Sequence, residues 1–390
     1  MRHVLLLAGL CALAFACTNN DEDSNNEEEQ ITIPTPIFVD ITFNGTTADV
    51  SIPERAVGLT CTSGSNTDVV LTLDESITTE YYYRVKGAST SGSLTINSPY
   101  KLTLLLAGLD LTSTGTEPAI HINSGKRVAL ILQEKTVNTL CDNVLNEKKG
   151  TFYTKGHLEI QGGGVLNITG KVRHALAAKE YLQIKKSTGY INILGAAGDG
   201  IHCGKADGDP ENNYFKINGG TLTFSNVEGD LIDCDDYGTA YINGGTLNLD
   251  VTNYDAKGLK ADSLIYMTGG TINLNVAGDE SCGIQSNYAA YFSGGNITGT
   301  VSGYNSNGIK GNNLKTTTTV FNGGYLYFSG TNISLSLPGT LAIGINAEKT
   351  IEATDGTVSL QGLGINEPGY KAKKGITTSG SAIFKWETVE

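Results

Sequence analysis

The sequence predicts an all-β fold, a right-handed parallel β-helix, on three observations. Gly supplies 49 of 390 residues, against a usual share of roughly 7%. Gly, Asn and Thr are all weak helix formers, and no 15-residue stretch has the Ala/Leu/Glu/Lys mix of an amphipathic helix. A Gly-Gly corner returns at a nearly fixed interval, and a second motif keeps the same beat half a turn away. These features exclude a doubly wound nucleotide-binding fold, a helical bundle and a TIM barrel. At 39% hydrophobic residues the chain is not disordered either.

The corner reads Asn218-Gly219-Gly220-Thr221-Leu222, Asn243-Gly244-Gly245-Thr246-Leu247, Thr268-Gly269-Gly270-Thr271-Ile272 and Ser293-Gly294-Gly295-Asn296-Ile297. Its second Gly falls at 164, 189, 220, 245, 270, 295, 324 and 356, so most steps are 25 residues. Between corners run Gly200-Ile201-His202, Leu231-Ile232-Asp233, Gly258-Leu259-Lys260, Gly283-Ile284-Gln285 and Gly308-Ile309-Lys310. Short strands repeating every ~25 residues stack as coils of a solenoid, not as a sandwich. Side chains alternate along a strand, which turns Ile217, Ile242, Met267, Phe292 and Phe321 inward. A second inward ladder is Leu222, Leu247, Ile272, Ile297 and Leu326. Gly at the corner permits positive φ.

The preceding segments read differently. Residues 1–16 combine a basic start with an apolar run too short to span a bilayer, the pattern of a signal peptide. The run ends Ala14-Phe15-Ala16-Cys17, which resembles a bacterial lipobox and implies lipidation of Cys17. Residues 17–30 form an acidic tether, with six carboxylates between positions 21 and 29. The tether resembles a surface-export signal of Bacteroidetes lipoproteins, so the expected location is the cell surface, on the outer membrane. Residues 31–98 contain strand-like runs without the 25-residue beat and are expected to form an N-terminal β region or cap. Residues 99–390 are the β-helix proper.

Residues 100–109, residues 120–140, Gly198-Asp199-Gly200-Ile201 and the repeated Asn-Gly-Gly-Thr together resemble the calcium-binding carbohydrate-binding-domain β-helix proteins. These are similar in fold and calcium chemistry to family 9 pectate lyases. The resemblance implies calcium-dependent, non-catalytic binding of polysaccharide, acidic or plant cell-wall glycans being the expected ligands. One alternative is a pectate-type lyase; another is a structural, adhesin-like surface protein. A net charge of −13 with no basic patch excludes nucleic acid as a partner, and the chain is expected to be a monomer.

Three groups of residues carry these expectations. Asp199, Asp230, Asp233, Asp235 and Asp236 fall on adjacent coils, and Asp207 and Asp209 lie in an inserted loop. Crowded carboxylates repel unless neutralised, and calcium takes 6–8 oxygens. Competing with this is a solvated acidic edge paired with Lys. Tyr241, Tyr266 and Tyr291 form an outward ladder that offers rings and hydroxyls to sugar, unless the rings simply stack on one another. Asn248 and Asn273 run parallel to them as hydrogen-bonding candidates. Lys260, with Lys257 beside it, is the candidate base of a lyase. A Lys over an Asp is more simply an ion pair, however, and pairing raises its pKa, the wrong direction for a base. Cys203 and Cys234 share a coil position and are expected to be buried small hydrophobes.

Overall fold

The computed structural model of the protein describes residues 36–389 apart from 64–66, 205–209 and 314–321. Cys17, Asp207 and Asp209 lie outside the described residues. The chain winds as a parallel β-helix of about 12 turns. Each turn has three faces, and one coil shows all of them. Thr239–Ile242 lies on the first, Thr246–Val251 on the second and Lys257–Ala261 on the third. Pairing to the next coil is parallel and in register, with Tyr241 beside Tyr266, Leu247 beside Ile272 and Leu259 beside Ile284. The first and second faces merge where one strand rounds the corner unbroken, as in Leu102–Thr112, Tyr325–Leu337 and Thr350–Gly362.

Parity delivers the core as expected. Ile217, Ile242, Met267 and Phe292 are stacked and buried, as are Leu222, Leu247, Ile272 and Ile297. The corner glycines Gly220, Gly245, Gly270 and Gly295 have φ between +80° and +85°. A Cβ on Gly295 would meet the carbonyl oxygen of Gly270 at 2.6 Å. The corner therefore needs Gly twice over, for conformation and for coil-to-coil approach. Cys203 and Cys234 sit side by side as buried free thiols.

Two expectations are corrected. Phe321 lies outside the described residues, and Phe328 occupies the rung above Phe292. Leu326 stacks on Ala290 instead, while Ile333 continues the Ile297 ladder. The step from Ala290 to Leu326 is 36 residues because an insertion follows Asn307–Gly311. Gly323-Gly324 copies the corner motif just before the strand, and the corner itself is formed at Gly330-Thr331.

The second correction concerns residues 31–98. From Ile37 on they are the first coils of the same stack, since Ile37–Asn44 pairs in parallel with Tyr81–Ser89, and Tyr81–Ser89 with Leu102–Thr112. On the third face Asp68–Leu73 and Ser93–Asn97 likewise lead in parallel to Ile120–Asn123. Capping falls to two strands that pair antiparallel, Ala48–Ser51 and Leu59–Ser63. They cover the strand edges that a solenoid's first coil would otherwise expose. Inserting them between Asn44 and Asp68 lengthens that coil to 44 residues, Ile37 to Tyr81, which hides the beat.

Candidate functional sites

On the first face the expected tyrosines are collinear and the row is longer than the sequence suggested. Tyr241, Tyr266 and Tyr291 are joined by Tyr327, with ring centroids 5.5, 5.1 and 4.7 Å apart and planes within 11° of parallel. Below them His157, Tyr181 and Tyr214 stack at 4.3 and 4.6 Å, one outward position to the side. Lys216 joins the two runs, its Nζ 4.7 Å from the Tyr214 ring and 4.9 Å from the Tyr241 ring. The spacing follows the strand separation of about 4.8 Å, so register alone builds the row. Stacked rings cover one another's faces. What they present outward is a line of ring edges and hydroxyls. Among the described residues the hydroxyls of Tyr241, Tyr266, Tyr291 and Tyr327 have no intramolecular hydrogen bond, whereas that of Tyr181 donates to Glu159 Oε1. Tyr327 escaped the sequence reading because the insertion after residue 311 breaks the beat.

Asn248 and Asn273 do not join this row. They lie on the second face and satisfy one another. Asn273 Nδ2 donates to Asn248 Oδ1 at 2.8 Å, Asn248 Nδ2 to Thr223 Oγ1 at 3.2 Å, and Thr298 Oγ1 to Asn273 Oδ1 at 3.3 Å.

The expected acidic residues divide between two places. Asp199, Asp230 and Asp233 converge on the third face with oxygens within 4.8 Å of one another. Cations are already interleaved with them. Lys260 Nζ donates to Asp233 Oδ1 at 3.0 Å, and His202 Nδ1 lies 3.6 Å from Asp233 Oδ2. His202 Nδ1 and His174 Nδ1 both lie 3.2 Å from Asp199 Oδ2. Burial opposes charge on His202, but its hydrogen bonds to Asp199 and Asp233 prevail and push it up to about 9. Burial would also raise Asp199, yet the two imidazoles hold it well below the usual carboxylate range. Asp230 is pushed up to about 6 by burial and by repulsion from Asp233. His174 arrives because its strand lies one coil below Asp199 and His202, and its place 25 residues before Asp199 was the signal that could have found it.

Asp235 and Asp236 stand apart. Asp235 shares a hydrogen bond with Asp262 one coil above, and Asp262 is pushed up to about 6 by burial and by that bond. Asn287 Nδ2 donates to Asp262 Oδ1 at 2.9 Å. Asp236 is exposed, with φ +51°; its carbonyl accepts from Asn213 Nδ2 at 2.8 Å and its backbone N–H donates to the Asp235 carboxylate. The arrangement does not suit calcium. The convergent carboxylates are three, not five, their oxygens face imidazole and ammonium groups, and calcium is an ion of all-oxygen shells.

Lys260 is no better placed as a base. Burial alone would lower its pKa, but Asp233 and Asp262 carry it above the ordinary lysine range, so it stays protonated. Lys257 Nζ is occupied by Asp255, donating to Oδ1 at 2.7 Å and also to the Asp255 carbonyl.

A family profile described as carbohydrate-binding domain-containing protein matches residues 73–298, more than half of the chain and most of the tyrosine row. The protein belongs to that carbohydrate-binding domain family. Comparison with curated proteins finds no match. A solved structure described as a polysaccharide lyase-like protein from C. thermocellum, gadolinium derivative, aligns with 90% of this chain and 100% of that one, at 15% identity and TM-score 0.36. A likeness that slight transfers no residue roles to this carbohydrate-binding domain.

Proposed function

We propose that this carbohydrate-binding domain holds polysaccharide along the tyrosine row of its first face without cleaving it. The observation that carries the reading is the line of four stacked tyrosines whose hydroxyls find no partner within the described protein. A phenol presents an apolar edge and a hydroxyl that both donates and accepts, which suits the alternating C–H and hydroxyl surface of a sugar chain. A row repeating at coil spacing on a rigid sheet suits a polymer better than a single sugar.

The net charge of −13 favours neutral plant cell-wall glycans over polyuronates. Calcium enters no step of this reading. The non-catalytic part of the proposal is supported by the pairing of Lys260 and Lys257, which leaves neither free to take a proton. The signal-like residues 1–16 and the lipobox-like Cys17 support display on the outer-membrane surface, held by lipid.

Affinity electrophoresis and calorimetry against neutral β-glucans, xyloglucan and polygalacturonate test the proposal, with absorbance near 235 nm monitored for uronate elimination. Binding of a neutral polymer that weakens when the row is altered is the expected result. Rising absorbance on polygalacturonate overturns the non-catalytic reading, and unchanged affinity in tyrosine variants overturns the assignment of the row.

A further inference from the structure

We infer that a cavity at the corner between the second and third faces of the last coils is a second carbohydrate site, taking one neutral sugar residue at a chain end or side branch. The cavity has a volume of about 360 Å³, at the small end of ligand sites, which run roughly 300–1,000 Å³. Its lining spans residues 305–371, beyond the segment 73–298 that carries the family match and apart from the tyrosine row.

Changes in the corner sequence open this cavity. In three successive coils Asp255, Glu280 and Asn305 turn the corner, all left-handed with φ between +51° and +56°. Each donates its N–H to the coil above, to the carbonyls of Asp279, Tyr304 and Thr340. Beside them Ser281 Oγ accepts the N–H of Ala256, and Ser306 Oγ that of Ser281, while both hydroxyls donate to carbonyls of the coil below. In the next coil Leu341 takes the left-handed position, with φ +60°, and Ala342 takes the serine position. Ala has no hydroxyl to bridge the coils. The chain above does not repeat the corner and runs through the 3₁₀ turn Gly364–Asn366 instead. The cavity is the gap between these two shapes.

The lining matches a sugar. Leu is uncommon in left-handed backbone, and strained residues of this kind gather at ligand sites. Leu341 and Ile365 are both exposed, and with Pro368 they offer an aliphatic surface to the C–H face of a pyranose. Asn366 is buried, and its Nδ2 donates to the carbonyls of Leu337 at 3.0 Å and Gly339 at 2.8 Å. Those two bonds fix Oδ1 as the acceptor left over, and it has no partner. A buried acceptor calls for a donor, which a sugar hydroxyl supplies. Asn305 adds an amide that can both donate and accept. Glu367 and Lys371 are exposed beside the opening and opposite in charge, which favours a neutral residue over a uronate.

The test uses the full chain and the methyl glycosides of glucose, xylose and galactose, with methyl galacturonoside as the charged probe, in ligand-observed NMR titrations. We expect at least one neutral glycoside to bind, and Leu341→Asn and Ile365→Ser each to weaken it at least tenfold. Asn suits a left-handed corner, as Asn305 shows one coil below, so Leu341→Asn should melt no lower than the unaltered protein. That separates a lost contact from a lost fold. Gly125→Ala, in an early coil, should leave the affinity unchanged. Binding of no neutral glycoside, equal affinity in Leu341→Asn and Ile365→Ser, or tighter binding of the galacturonoside would each overturn the inference. Binding lost in Tyr266→Ala but kept in Leu341→Asn assigns the sugar to the tyrosine row and overturns this site alone. A glycoside held here while polymer affinity ignores the tyrosine variants supports this site and overturns the row.

Discussion

A tyrosine in the middle of the row offers its ring to two neighbours and only its edge and hydroxyl to the outside, and that division makes its role testable. Tyr266 lies between Tyr241 and Tyr291 at 5.5 and 5.1 Å. Tyr266→Phe keeps the stack and removes the hydroxyl, so glycan affinity should fall by about 1 kcal/mol, the usual worth of a hydrogen bond, with melting unchanged. Tyr266→Ala should cost more in both, because stacking contributes about 0.5–1.5 kcal/mol per aromatic pair. Calorimetry beside thermal melts separates the two. On the third face, Lys260 answers Asp233, whose side chain is 9% exposed. Lys260→Met leaves that carboxylate beside Asp230 with His202 as its remaining cationic neighbour, and loss of one partner from such a charged hydrogen bond costs about 1–3 kcal/mol. A chemical-denaturation midpoint that does not move would show the pair to be dispensable.

A coil is the unit in which these contacts repeat, and its corner tolerates least. Gly270 has φ +85°, and a Cβ there would stand 3.0 Å from atoms of Gly244 and Gly245. Gly270→Ala should destabilise by about 1–3 kcal/mol, whereas Gly125→Ala, where a Cβ meets nothing within 4 Å, should be close to neutral. Adjacent coils also share protons. Asp262 in the folded chain keeps its proton up to about pH 6, while unfolded it ionises near pH 4. The folded state thus binds more protons between those values, and stability falls as pH rises through that window. Asp262→Asn should flatten the decline between pH 4 and 6 in melts, and an unaltered slope would contradict the shared proton. Coil-level features were legible in the sequence wherever the beat is regular. Met267, Phe292 and the corner glycines follow from parity and spacing alone. Leu326 was misplaced because Gly323-Gly324 imitates a corner that is actually closed by Gly330-Thr331. His174 keeps the regular step, 25 residues before Asp199, and was passed over because metal-ligand spacings are sought along the chain and not between stacked coils.

In the whole molecule the two ends differ. Each coil of a solenoid is stabilised by its neighbours, and the first coil gains a substitute neighbour in the antiparallel strands Ala48–Ser51 and Leu59–Ser63. That substitution was not legible, since a 44-residue coil removes the periodicity by which coils are recognised. At the other end Gly375–Thr378 and Ile383–Thr388 pair only with Thr350–Gly362 beneath them. Ile376 and Ile383 are 39% and 44% exposed there, and Phe384 and Trp386 are only partly buried against the core. A coil paired on one side loses half of the interface terms that hold an interior coil, so it should open locally with less free energy than the global value. Amide exchange followed by mass spectrometry should show 375–388 exchanging first. Protection should rise through Thr350–Gly362 to a plateau in the coils around Tyr241, and remain high at Ile37–Asn44 because that strand is paired on both sides. Equal protection at the two ends would mean that the antiparallel strands do not act as a cap.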